Sequence, residues 1–173
     1  MQKLIIKIAP EHEYLITDEK LQCFVIDSGE NEEFITRFIA SAHQAGKLIL
    51  ICGDNATESY QKFAADGFVL DLSKEEKPQK IVKSVKKQFP QAVIGIISRN
   101  RRHEAMLISE CEPDFVVFKV WQEGFAQNKE LLAWYNELFL IQSAAWVEEM
   151  FAECYSAPTD FLILSSAQFL AQK

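Results

Sequence analysis

Glycine is scarce and unevenly placed. The chain of 173 residues holds six, and Gly29, Gly46, Gly53, Gly67, Gly95 and Gly124 leave the last 49 residues with none. They form no Gly-x-Gly-x-x-Gly fingerprint and no Walker loop, so the common nucleotide cradles are excluded. Basic residues are outnumbered, 18 Lys and Arg against 25 Asp and Glu, which gives a formal charge of -7. That field repels phosphate backbones and anionic lipid, and neither nucleic acid nor a membrane is an expected partner. Long apolar runs are missing too. The run Lys3-Leu4-Ile5-Ile6-Lys7-Ile8-Ala9 is broken by a lysine and stopped by Pro10, far short of the roughly 20 apolar residues of a bilayer span. No C-x-x-C pair joins Cys23, Cys52, Cys111 and Cys154, and the N-terminus does not read as a secretory signal. The expectation is a cytoplasmic protein with reduced thiols. With His12, His43 and His103 the only histidines, no spacing suggests zinc, and of the three only His103 is placed to serve a nucleophile.

What is present is a regular alternation. Runs rich in Ile, Val, Leu and Phe recur about every 22 residues, which is room for a strand, a crossover helix and two tight loops. The strands are expected at 3–9, 22–28, 47–53, 67–72, 92–98, 114–120, 137–142 and 160–165. Runs such as Leu48-Ile49-Leu50-Ile51 and Phe115-Val116-Val117-Phe118 are apolar throughout, as in parallel strands covered on both faces. Between them, Asn31-Glu32-Glu33-Phe34 opens a helix closed by Gly46, and Asn55 or Thr57 caps a helix closed by Gly67. A third spans Lys77 to Phe89 and is stopped by Pro90. Arg101 to Cys111, Asn128 to Glu137 and Ala145 to Tyr155 complete the series, while the crossovers 11–20 and 166–173 are short. Eight strands without a linker predict one α/β domain over 1–173, a (β/α)8 barrel smaller than the usual 200 to 250 residues. The alternative is an open, doubly wound parallel sheet.

Particular stretches carry a family likeness. Ala45-Gly46-Lys47-Leu48-Ile49-Leu50-Ile51, then Asp54-Asn55, then Ala64-Ala65-Asp66-Gly67-Phe68-Val69-Leu70, resemble the middle of the thiamine phosphate synthase barrels. The likeness continues through Ile94-Gly95-Ile96-Ile97-Ser98, Pro113-Asp114-Phe115-Val116-Val117-Phe118 and Asp160-Phe161-Leu162-Ile163-Leu164-Ser165-Ser166, roughly residues 40–170. It implies a barrel that joins a thiazole phosphate to a pyrimidine diphosphate with Mg²⁺. The family's Asn-Asp-Arg element falls on Asp54, Asn55 and Ala56, and its fourth-strand His on Val69. Its Thr-Pro-Thr-Lys loop falls on Lys119-Val120-Trp121-Gln122-Glu123, and its Gly-Gly turn on Gln142-Ser143-Ala144-Ala145. These departures imply a member that has lost its catalysis and binds a small anionic or phosphorylated ligand, or a protein partner. If the chemistry survives, the resemblance implies Mg²⁺ on Asp54 and Asp71, a diphosphate neutralised by Arg99, Arg101 and Lys119, and a phosphate on Ser166.

The residues themselves leave two readings at each position. Asp54 and Asn55 either cap a helix or begin a metal site. Ser98-Arg99-Asn100-Arg101-Arg102-His103 gathers three of the four arginines after the fifth strand, either as a trap for phosphate or carboxylate or as a solvated helix start. Lys119 ends the sixth strand and could attack a carbonyl as in a sugar-phosphate aldolase or isomerase, provided its pKa is lowered. Candidate ligand contacts are thus Asn55, Ser98, Arg99, Arg101, Ser143, Ser165 and Ser166, with Lys119 and Arg99 as catalytic candidates. Cys52 reads as a small buried hydrophobe. Trp146, Phe151 and Tyr155 form a candidate homodimer patch.

Overall fold

Eight parallel strands follow one another around a closed barrel in the order β1 to β8. The structure, a computed structural model, describes residues 2–173. The strands are β1 (Lys3–Lys7), β2 (Cys23–Asp27), β3 (Leu48–Cys52), β4 (Gly67–Asp71), β5 (Val93–Ile97), β6 (Phe115–Val120), β7 (Gln142–Val147) and β8 (Phe161–Ser165). The helices are α1 (Glu32–Gln44), α2 (Ala56–Phe63), α3 (Pro78–Gln88), α4 (Arg102–Ser109), α5 (Phe125–Leu138) and α6 (Ser166–Ala171). Two crossovers are only 3₁₀ turns, Pro10–Thr17 after β1 and Ala152–Ser156 after β7. The barrel, not the open sheet, is the fold, and trimmed crossovers explain how it fits this length. No helix among the described residues is long and apolar enough to cross a membrane.

The chain divides into two compact units. One is Leu70–Leu162 with the N-terminal residues up to Lys3; the other is Leu4–Val69 with Ile163–Lys173. In the second unit Ile6, Phe24, Ile26, Ile49 and Ile51 are fully buried, and Phe38 of α1 packs edge-on against Phe24 at 5.4 Å. Asn31 starts α1 as expected, its Oδ1 accepting from the N–H groups of Glu33 and Phe34. In the first unit Val116, Val117, Phe118, Ala144 and Ala145 are buried, with Leu132 and Tyr135 of α5 laid against them. Gly95 faces the Phe115 ring so closely that a side chain there would overlap it.

Three aspartates share one device. The carboxylates of Asp66, Asp114 and Asp160, each just before an even-numbered strand, accept from the backbone N–H of Ile49, Ile94 and Ser143 at 2.8, 2.7 and 2.9 Å. In return each aspartate N–H donates to the carbonyl of the same residue, at 2.9, 2.9 and 3.1 Å. The clasp ties the entry of each even strand to the start of the strand before it. Asp114→Ala is expected to cost about 1–3 kcal/mol, because the buried Ile94 N–H loses a charged acceptor. Urea unfolding checks this, and an unchanged midpoint would show that the clasp does not hold the strand.

The last quarter departs most from expectation. The strand expected at 137–142 is the end of α5 and a loop in which Leu138 and Leu140 are exposed. The strand itself is Gln142–Val147, within and beyond what read as a turn and a helix. Its small Ser-Ala-Ala interior lacks the β-branched residues that mark a strand, whereas the neighbouring Leu-Phe-Leu-Ile has the hydrophobicity without the burial. The helix expected over 145–155 is absent, and Phe151 is buried against Phe125 at 4.9 Å, while Tyr155 is exposed. Helix α2 ends in a left-handed Ala64, not at Gly67, which opens β4.

Candidate functional site

Charged residues of the first unit gather at the C-terminal ends of β4, β6 and β7, the end of parallel strands where barrel chemistry is done. Lys119 is the centre. In β6 the side chains alternate, with Phe118 and Val120 fully buried, while Lys119 is about one-third exposed. Its Nζ lies 3.1 Å from Glu148 Oε1, just past β7, and 3.5 Å from Asp71 Oδ2, the last residue of β4. Burial alone would lower its pKa, but the bonds and charges of Glu148 and Asp71 outweigh this and raise it above a free lysine's. Asp71 shows the converse. Burial opposes ionisation, yet the Ser73 hydroxyl and N–H, which donate to Oδ1 at 2.6 and 3.0 Å, and the Lys119 charge together lower its pKa.

Arg99 extends this group. Its Nε donates to the Ser73 carbonyl at 2.8 Å, and Nη1 is 3.8 Å from Glu104 Oε1. Asn100 Nδ2 donates to the carbonyl of Lys119 at 2.8 Å and to Asn128 Oδ1 at 3.1 Å, fixing the loop after β5 to β6 and α5. Two fixed cations, Lys119 and Arg99, therefore stand among three carboxylates, Asp71, Glu148 and Glu104.

The other residues singled out in the sequence lie elsewhere. Ser98 is buried, and its hydroxyl donates to the Arg99 carbonyl at 2.8 Å, so it is not directed at a ligand. Arg101 is exposed at the N-cap of α4, and the Arg102 guanidinium lies over the Trp134 ring at 5.1 Å; the arginines disperse instead of forming one fork. Ser143 is fully buried at the start of β7, its hydroxyl donating to Asn136 at 2.7 Å, because the register places it inside the strand and not in a loop after it.

In the second unit the Ser165 hydroxyl and N–H are joined to Gln168 in a capping box at α6. The buried Ser166 hydroxyl accepts from the Ala9 N–H at 3.1 Å and lies 2.8 Å from His12 Nδ1. Both hydroxyls are thus engaged locally. Asn55 stands at the N-cap of α2 without a side-chain capping bond, its N–H donating to Ser28 Oγ at 3.4 Å, and Asp54 is exposed beside it.

At Asp71 the donor set does not fit magnesium. Asp71 is already neutralised by Lys119 and bonded to Ser73, and among the described residues no three His, Cys, Asp or Glu side chains converge to hold a metal.

Several partners escaped the sequence reading. Glu148 fell inside the misread helix, so its place at a strand end was invisible. The second unit carries its own strand-end group, with Asp27 Oδ2 3.9 Å from both Lys7 Nζ and Cys52 Sγ. An Asp ending β2, matched to Asp71 ending β4, was the available signal. Cys52 is buried, in keeping with its expected role. Burial pushes the Cys23 thiol up to about 12 and also raises those of Cys111 and Cys154, which makes them poor nucleophiles.

Comparisons with solved structures agree with this fold. The citrate synthase SbnG superposes with a TM-score of 0.69 at 14% identity, covering 99% of this chain and 89% of its own. An HpcH/HpaI aldolase from Desulfitobacterium hafniense gives 0.68 at 11%, with 98% and 87% covered. The YdjI aldolase of Escherichia coli K12 gives 0.72 at 11%, with 98% and 75% covered. No family model matches the chain, and no curated protein matches it. The chain is a TIM-type barrel whose structural neighbours are synthases and aldolases, and at such identities the likeness carries the fold alone. Of the resemblance to thiamine phosphate synthase, the barrel fold is what these likenesses support, and no specific family is identified.

Proposed function

We propose that the strand ends around Lys119 bind a small hydroxylated anion, such as a phosphorylated polyol or a hydroxy acid, without forming a covalent bond to it. The observation that supports this is the position of Lys119 Nζ, 3.1 Å from Glu148 and 3.5 Å from Asp71. A lysine held charged in this way is a fixed cation, not the neutral amine that attacks a carbonyl, which weighs against the aldolase reading. With Arg99 beside it, it offers donors to phosphate or carboxylate oxygens, while Asp71 and Glu148 accept from ligand hydroxyls. A bare anion would meet three carboxylates, so the hydroxyls are part of the specificity. The Mg²⁺-dependent thiamine phosphate synthase reaction would need a metal site and a phosphate turn that these side chains do not supply.

The test is thermal unfolding against a panel of sugar phosphates, hydroxy acids and thiamine phosphate, each with and without Mg²⁺. A ligand at 100 times its Kd adds about 2.7 kcal/mol of stability. The expected result is a rise with hydroxylated anions that does not depend on Mg²⁺ and disappears in Arg99→Met. A shift confined to thiamine phosphate with Mg²⁺ would overturn the reading, and so would no shift with any compound.

A further inference from the structure

A cleft of about 400 Å³ opens on the first unit between the start of α5 and the 3₁₀ turn after β7, lined by none of the charged residues of the Lys119 group. We infer that it is a binding site for a free α-amino acid with an apolar side chain. Its volume is within the usual range of small-molecule pockets. The floor is Phe125 and Phe151, packed edge to face at 4.9 Å with both side chains almost wholly buried, so it is rigid and apolar, and Ala126 adds a small neighbour.

Lys129 and Glu153 line the same cleft with opposite charges. No ion pair joins the two among the described residues. Lys129 Nζ instead donates to the Ser156 hydroxyl at 3.3 Å, and that hydroxyl donates to the Glu153 carbonyl at 2.7 Å, which holds the turn closed beside the lysine. Two opposite charges lining one cleft suit a small molecule that carries both a carboxylate and an ammonium, the carboxylate toward Lys129 and the ammonium toward Glu153, with its apolar side chain against the open edge of the two rings. A purely anionic ligand would be repelled by Glu153, and a purely apolar one would gain nothing from either charge. The inference is independent of the small-anion reading.

The experiment is isothermal titration of the full chain with L-phenylalanine and L-leucine, against L-phenylalaninamide and N-acetyl-L-phenylalanine. The amino acids are expected to bind, and each blocked compound to bind at least tenfold more weakly. Lys129→Met and Glu153→Gln, both at exposed positions, are expected to lower affinity for the free amino acid about tenfold or more. Lys119→Met is expected to leave it unchanged. Equal binding of the blocked and free compounds, an unchanged affinity in both cleft variants, or no binding heat with either amino acid would overturn the assignment.

Discussion

Lys119→Met is expected to weaken the small-anion response and to lower stability by an amount that depends on pH. The loss of one charged contact should weaken a phosphorylated or hydroxy-acid ligand by about tenfold to a hundredfold. The signs for folding follow from the two pKa shifts. Asp71, whose carboxyl is lowered, contributes stability above the unfolded pKa of about 4, which is lost as pH falls through its folded value. Lys119, which is raised, contributes below the unfolded pKa of about 10.4, and that is lost as pH rises through its folded value. The pair therefore stabilises between those limits, by about 1 kcal/mol once solvent screening of such exposed groups is allowed for. Without the lysine, Asp71 and Glu148 lose a shared cation, and the deficit seen at pH 7 should shrink as pH falls and Asp71 protonates. Urea unfolding of parent and variant from pH 3 to 8 reads this directly; a pH-independent difference would remove the ion-pair explanation.

Phe118→Ala is expected to have the largest effect on folding. Phe118 is fully buried in β6 and meets the Tyr135 ring edge-on at 5.3 Å, so it joins α5 to the strand that carries Lys119. Removing a buried ring costs about 3–5 kcal/mol through lost transfer energy and the cavity left behind. In a chain of this size that corresponds to roughly 10 °C in Tm. A loss below 1 kcal/mol, by urea or thermal unfolding, would mean that α5 closes over the gap.

The barrel was readable because its signals are local and repeated. Val116, Val117 and Phe118 are apolar on both faces of a strand, Asn31 caps a helix, and Gly46 closes one with φ at +71°. The one misplaced strand shows the limit of hydrophobicity as a guide. Leu138 to Ile141 reads as a strand although Leu140 is fully exposed, and Ser143-Ala144-Ala145 is the strand although no residue in it is large. From that misreading came the loss of Glu148, whose partnership with Lys119 depends on the register of β7 against β6, where Lys119 pairs with Trp146. Lys119, Arg99 and Asp71 were legible one at a time as strand-end residues. The pairing of Lys119 with Asp71 and Glu148 was not, because it is a property of three strands. The residues that carried the family likeness, Asp66, Asp114 and Asp160, turn out to clasp strand entries, which explains why the likeness reports a fold.

The claim on which the functional reading turns is that Lys119 is a fixed cation. Its Nζ resonance, assigned by comparison with Lys119→Met and followed by ¹⁵N NMR from pH 7 to 12, measures that property. The account predicts a midpoint above that of a free lysine, moving down in Glu148→Gln as one of the two flanking charges is removed. A midpoint below that of a free lysine would contradict it and make Lys119 an amine able to attack a carbonyl.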